Sequence, residues 1–130
     1  MAPATAATSR SKQKSIRTRW RCSCTDCQTL SGAPLRASVI VAADKFRLLS
    51  GEPASYVKVA ESGNKRLQAF CSRCGSPLYA TAADDPNAIR MVRLGVVRQR
   101  DELEPKRQIW TRSQPAWVGS IANIPGVEAQ

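Results

Sequence analysis

At 130 residues the chain has the length of one ordinary domain, with 42% hydrophobic but only 5% aromatic residues. No apolar run approaches the ~20 residues of a membrane-spanning helix, so a soluble protein without a membrane partner is expected. The net charge of +10 points to an acidic partner, yet Arg10, Lys12, Lys14, Arg17, Arg19 and Arg21 all precede the first acid, Asp26, and from residue 25 onward the excess is only +4.

Residues 1–20 (MAPATAATSRSKQKSIRTRW) are rich in Ala, Ser, Thr and Arg and have no acid. A basic, disordered leader is the expectation for them, with organelle targeting the weaker reading and a cytoplasmic location favoured. The folded domain is expected over 21–121, with 122–130 as a C-terminal tail. Turn signals then follow at short intervals, at Ser31-Gly32-Ala33-Pro34, Ser50-Gly51-Glu52-Pro53, Ser62-Gly63-Asn64, Cys74-Gly75-Ser76-Pro77, Asp84-Asp85-Pro86-Asn87 and Glu104-Pro105. That spacing leaves room for strands of about 5 to 8 residues and none for long helices. The fold class is mainly β.

One or two helical turns are predicted over Cys24 to Leu30. Strands follow at Leu35 to Ala42, at Phe46 to Leu49, and at Ser55 to Ala60, where Val57 and Val59 alternate with a solvated face of Tyr56 and Lys58. Lys65 to Phe70 and Leu78 to Ala82 flank Cys71-Ser72-Arg73-Cys74, which places that turn at the tip of a hairpin. Ile89 to Leu94 has no clean facing, and Gln108 to Thr111 is the last strand. Trp110 and Trp117 are expected as core or interface aromatics.

Three of the five cysteines form CxCxxC (Cys22, Cys24, Cys27) and two form CxxC (Cys71, Cys74), in a chain without histidine. An odd count without a secretory signal argues against a disulfide framework. All-thiolate ligands favour zinc or iron–sulfur, and the spacing departs from ferredoxin runs, so zinc is preferred. The plainer alternative is that the cysteines are small buried hydrophobes.

Two distributions stay open. Cys24, Cys27, Cys71 and Cys74 can form one closed site across an intervening stretch of 43 residues. Alternatively Cys22, Cys24 and Cys27 hold an ion with an open fourth position, while Cys71 and Cys74 form half of a second site. Three thiolates on a divalent ion carry a net charge near −1, which Arg19, Arg21 or Arg73 can balance.

The strings CSCTDCQTLSGAP, FRLLSGEPASY, FCSRCGSPLYA and IWTRSQPAWV, in this order, resemble the glutathione-dependent formaldehyde-activating enzyme family, which includes centromere protein V-like proteins. The resemblance implies small zinc-bearing antiparallel sheets of the β-tent, Mss4-like kind. It assigns a catalytic zinc to Cys22, Cys24 and Cys27, and a structural one to Cys71 and Cys74 together with an early CxC pair. Residues 1–20 contain no cysteine, so one zinc is expected, the second site lacks half its ligands, and the N-terminal strand region is read as atypical or missing.

The implied activity is that of a carbon–sulfur lyase working in the synthetic direction, adding glutathione or another small thiol to formaldehyde. Arg47, Lys58, Arg73 and Arg112 are candidates for attracting the anionic peptide, each weighed against a plain solvated charge. The alternatives are a non-enzymatic zinc module that meets an acidic partner through the basic leader, and a truncated, inactive member. Few aromatics accompany the basic residues of the leader, which argues against nucleic acid. A homo-oligomer covering an exposed sheet edge completes the expected partners.

Overall fold

The computed structural model describes residues 6–8, 19–60 and 62–130. Nine strands and one α-helix follow in chain order: β1 (Ala6–Thr8), β2 (Arg19–Cys22), α1 (Thr25–Ser31), β3 (Arg36–Val41), β4 (Phe46–Leu48), β5 (Ala54–Val59), β6 (Lys65–Phe70), β7 (Pro77–Ala82), β8 (Arg90–Arg93) and β9 (Arg107–Ile109). Short 3-10 turns fill much of the remainder, the longest at Ala116–Asn123. The protein is mainly β, as its turn spacing predicts. No described helix is long and apolar enough to cross a membrane.

Seven strands form one sheet in the order β5-β6-β7-β8-β3-β2-β9, and β1 pairs with β4 in a separate ribbon. Neighbours in the large sheet are antiparallel except β2 and β9, which run parallel. Two strands thus lie wholly or partly within residues 1–20, which composition marks as a leader. Arg19 and Trp20 belong to the sheet because β2 is hydrogen-bonded on both sides, by β3 and by β9. The rest of that leader lies outside the described residues.

The two faces of the sheet differ. Directly opposed residues share a face, so the Val39–Val92 and Tyr79–Val92 pairs define an apolar side. There Val39, Val41, Val92 and Val97 are buried together, with Phe46, Tyr79, Val96 and Leu103 packed against them. The Phe46 and Tyr79 rings meet at 4.8 Å in a tilted contact. The other side carries Cys22 opposite Arg36, Ser38 opposite Arg93, and Lys58 opposite Arg66. Helix α1 reaches this polar side, where Asp26 forms an ion pair with Lys58.

β5 does not show the two distinct faces expected of it. Val57 and Val59 are exposed, as is Tyr56, whereas Lys58 is half-buried. The reason is position: β5 is an edge strand, and the valine core lies under β3 and β8, several strands away. Trp110 and Trp117 are likewise half exposed rather than in the core, and the Arg112 guanidinium lies over the Trp110 ring at 4.7 Å.

Leu78 is fully buried at the start of β7. Leu78→Ala is expected to lower stability by about 2–5 kcal/mol, read as a fall in the midpoint of urea unfolding.

Candidate metal centre

The CxCxxC segment spans a strand end, a helix cap and the first turn of that helix. Cys22 closes β2 and is buried. The Ser23 N–H then donates to the Ile109 carbonyl at 3.2 Å, tying the connection to β9. Cys24 caps α1 with extended backbone (φ −62°, ψ 154°). Its Sγ accepts the Cys27 N–H at 3.3 Å, so sulfur plays the part that an oxygen side chain usually plays at a helix start.

Gly32 ends the helix in the left-handed region (φ 67°) and returns its N–H to the Gln28 carbonyl at 2.9 Å. Two turns of helix are thereby held against the strand end. The result is that the sulfurs of Cys22, Cys24 and Cys27 all lie within 4.8 Å of one another.

Gln28, the residue after the third cysteine, locks this arrangement. Its side-chain amide donates to the Ser23 carbonyl at 2.7 Å and to the Ser113 carbonyl at 2.9 Å. One amide group therefore joins α1, the connection between two of the cysteines, and the segment after β9.

Burial raises the Cys22 thiol above its ordinary range, and raises Cys27 further because Cys24 and Cys22 add to the burial effect. Burial acts on Cys24 in the same sense, but hydrogen bonds from the Cys27 backbone and from the Cys27 and Cys22 side chains outweigh it and leave Cys24 lowered. Of the three, Cys24 is shifted toward its thiolate form, while Cys22 and Cys27 are shifted toward the thiol. A soft divalent cation would replace those thiol protons. Tetrahedral zinc with Zn–S near 2.3 Å separates its sulfurs by about 3.8 Å, so three sulfurs within 4.8 Å fit such an ion after a small contraction.

Cys71 and Cys74 lie elsewhere. They sit at the β6–β7 hairpin tip, as expected, with the Cys71 N–H donating to the Ser76 carbonyl at 2.9 Å and the Gly75 N–H to the Cys71 carbonyl at 2.8 Å. Gly75 has φ 74°, a conformation that favours glycine. Cys71 is buried, and Cys74 is exposed with its Sγ 3.0 Å from Ser76 Oγ. The single four-cysteine site is not formed. Among the described residues, Cys22, Cys24 and Cys27 are the only set of three or more side chains close enough to share a metal, and none of the five cysteines is in a disulfide.

The buried arginines near these sulfurs are not the ones expected. Arg21 bonds to Gln108 and Arg19 donates to the Glu102 carbonyl, while Arg73 is exposed. Arg36 and Arg93 are the buried ones that feel the cysteine sulfurs. The signal for them was an arginine inside the apolar run LRASVIVA and the unclean facing of IRMVRL. Of the four candidates for attracting a peptide, Lys58 is paired with Asp26 and Arg112 stacks on Trp110, whereas Arg47 and Arg73 are exposed.

Gln28→Ala leaves the Ser23 and Ser113 carbonyls without their shared donor and is expected to destabilise the protein by about 1–3 kcal/mol. Equilibrium unfolding in urea measures it, and a change within error would show that the bridge is dispensable.

No curated protein matches the chain. The model of the family described as glutathione-dependent formaldehyde-activating enzyme matches residues 6–113, from β1 through the segment that Gln28 holds. The cysteine cluster, the β sheet around it and this match over most of the chain place the protein in the glutathione-dependent formaldehyde-activating enzyme family.

Proposed function

We propose that the protein is a zinc-dependent enzyme of the carbon–sulfur lyase type that joins glutathione, or a related small thiol, to formaldehyde. The observation that carries this reading is the triad of sulfurs within 4.8 Å at the end of β2 and the start of α1, in a chain of this family. Cys22, Cys24 and Cys27 would hold the ion. When bound there, zinc supplies the Lewis acidity that keeps an incoming thiol in its thiolate form near neutral pH.

The chain's own residues support the rest. In the addition a bond forms between sulfur and the aldehyde carbon, the carbonyl π bond breaks, and the thiol proton ends on oxygen. No histidine is present to serve as base, so the thiol must be acidified by its surroundings. α1 holds Cys24 and Cys27 at its first turn, and Gln28 fixes that turn to the strand end. Arg66 lies on the same face of the sheet as Cys22, Arg36 and Arg93, which gives that face a positive potential suited to an anionic peptide. Cys71 and Cys74 are read as half of a second metal site that needs ligands from elsewhere.

Protein purified without chelators is expected to contain one zinc per chain by elemental analysis. It should accelerate exchange between formaldehyde and its glutathione adduct, measured by NMR exchange spectroscopy, which separates catalysis from the spontaneous reaction. Cys24→Ser should lose the metal and the acceleration while keeping the far-UV dichroism of the sheet. Zinc-free wild type would refute the metal site; zinc-loaded protein with no acceleration would leave a non-enzymatic zinc module in its place.

A further inference from the structure

Arg36 and Arg93 are only 6% and 7% exposed, and neither has a carboxylate within ion-pair distance among the described residues. Burying a guanidinium without an acid is unfavourable by several kcal/mol or more, so an arrangement that keeps two of them needs a source of negative charge. The Nε atoms of both are buried without a hydrogen-bond partner. Arg93 donates its terminal nitrogens to Ser38 Oγ and Gln68 Oε1, each at 2.9 Å, and both acceptors are neutral. Asp26, the acid on α1, is occupied by Lys58.

Both arginines lie on the cysteine side of the sheet. Arg36 stands directly opposite Cys22 in the β2–β3 register, which brings their Cβ atoms to about 5 Å. Ser38, two residues along β3 on the same face, stands opposite Arg93. The charges acting on Arg36 are those of Cys27, Cys24 and Cys22; those acting on Arg93 are Arg36 and Arg66 in repulsion and Cys27 and Cys22 in attraction. Burial, the largest influence on each, lowers both, Arg93 to about 10; a guanidinium nevertheless keeps its proton inside proteins.

A divalent ion on three thiolates carries a formal charge of −1. With a neutral fourth ligand, water or a carbonyl oxygen, the two arginines leave the buried site at +1. With a thiolate as fourth ligand the metal and its sulfurs carry −2, and the two guanidiniums bring the sum to zero. We propose that Arg36 and Arg93 are the counter-charge of the cysteine site and select an anionic sulfur, rather than the aldehyde oxygen, as its fourth ligand. This rests on the reading that Cys22, Cys24 and Cys27 hold the metal, and it makes the two arginines specificity-determining residues that touch no reacting atom.

The test uses the full chain loaded with cobalt(II), whose sulfur-to-metal charge-transfer and d–d bands report coordination without reference to turnover. Wild type, Arg36→Met, Arg93→Gln and Arg36→Lys are titrated with 2-mercaptoethanol and azide as anionic ligands and with imidazole as a neutral one. The expected result is that Arg36→Met and Arg93→Gln each weaken the anionic ligands by about tenfold or more relative to imidazole, and that Arg36→Lys restores much of the preference. Equal losses for anionic and neutral ligands, or no loss, would overturn the proposal while leaving the metal site standing. Should Arg36→Met fail to fold, Arg93→Gln carries the same comparison. Cobalt-loaded wild type whose spectrum neither anion changes overturns it without any variant, whereas wild type that binds no cobalt removes the metal reading itself and this proposal with it.

Discussion

Positive charge held out of water beside three sulfurs is the constraint around which the polar side of this sheet is organised. Among the described residues Arg36 and Arg93 have no acid to neutralise them, and a protein interior does not retain such groups unless something nearby compensates. The cysteine cluster meets that need and is in turn shaped by it. Thiols that burial would keep protonated acquire two cationic neighbours, and a site of that kind suits a metal bound through sulfur more than one bound through oxygen.

The division of labour between the two faces follows from strand alternation. Val39 and Val41 point to one side of β3, and Arg36 and Ser38 to the other. The first pair joins Val92 and Val97 in a small apolar core, leaving the second side free to be polar. In a chain with 5% aromatic residues the core is modest, and the helix is therefore anchored by polar contacts. Asp26 to Lys58 and Gln28 to Ser113 hold the N-terminal half of α1 to β5 and to the segment after β9.

Most strands were readable because turn residues bound them, and those signals are local: Lys65–Phe70 matches its reading, and β3, β5 and β7 start or end within a residue of theirs. β2 was not readable. Arg19-Trp20-Arg21-Cys22 alternates charged and apolar residues over only four positions at the end of a basic stretch, and it is a strand because β3 and the distant β9 pair with it on either side. The same distinction applies to the site. The CxCxxC spacing announced a three-sulfur cluster, whereas the partnership of Cys22 with Arg36 depends on strand register, which short-range pattern does not encode. The exposure of Val57 and Val59 was missed for the corresponding reason, since alternation shows that two faces differ but not which of them the rest of the molecule covers.

The parallel pairing of β2 with β9 has a consequence for the order of assembly. Ile109 is the partner that holds Ser23 and Cys22 in place, yet on the ribosome it is made long after the cysteines have emerged. Contacts of such sequence separation form late and slowly, so during the interval the nascent CxCxxC segment has only its neighbour β3 to pair with. The cluster is framed on both edges of β2 only when almost the whole chain is available, which, on the proposed metal reading, makes metal capture a closing event of folding rather than the seed around which the sheet grows.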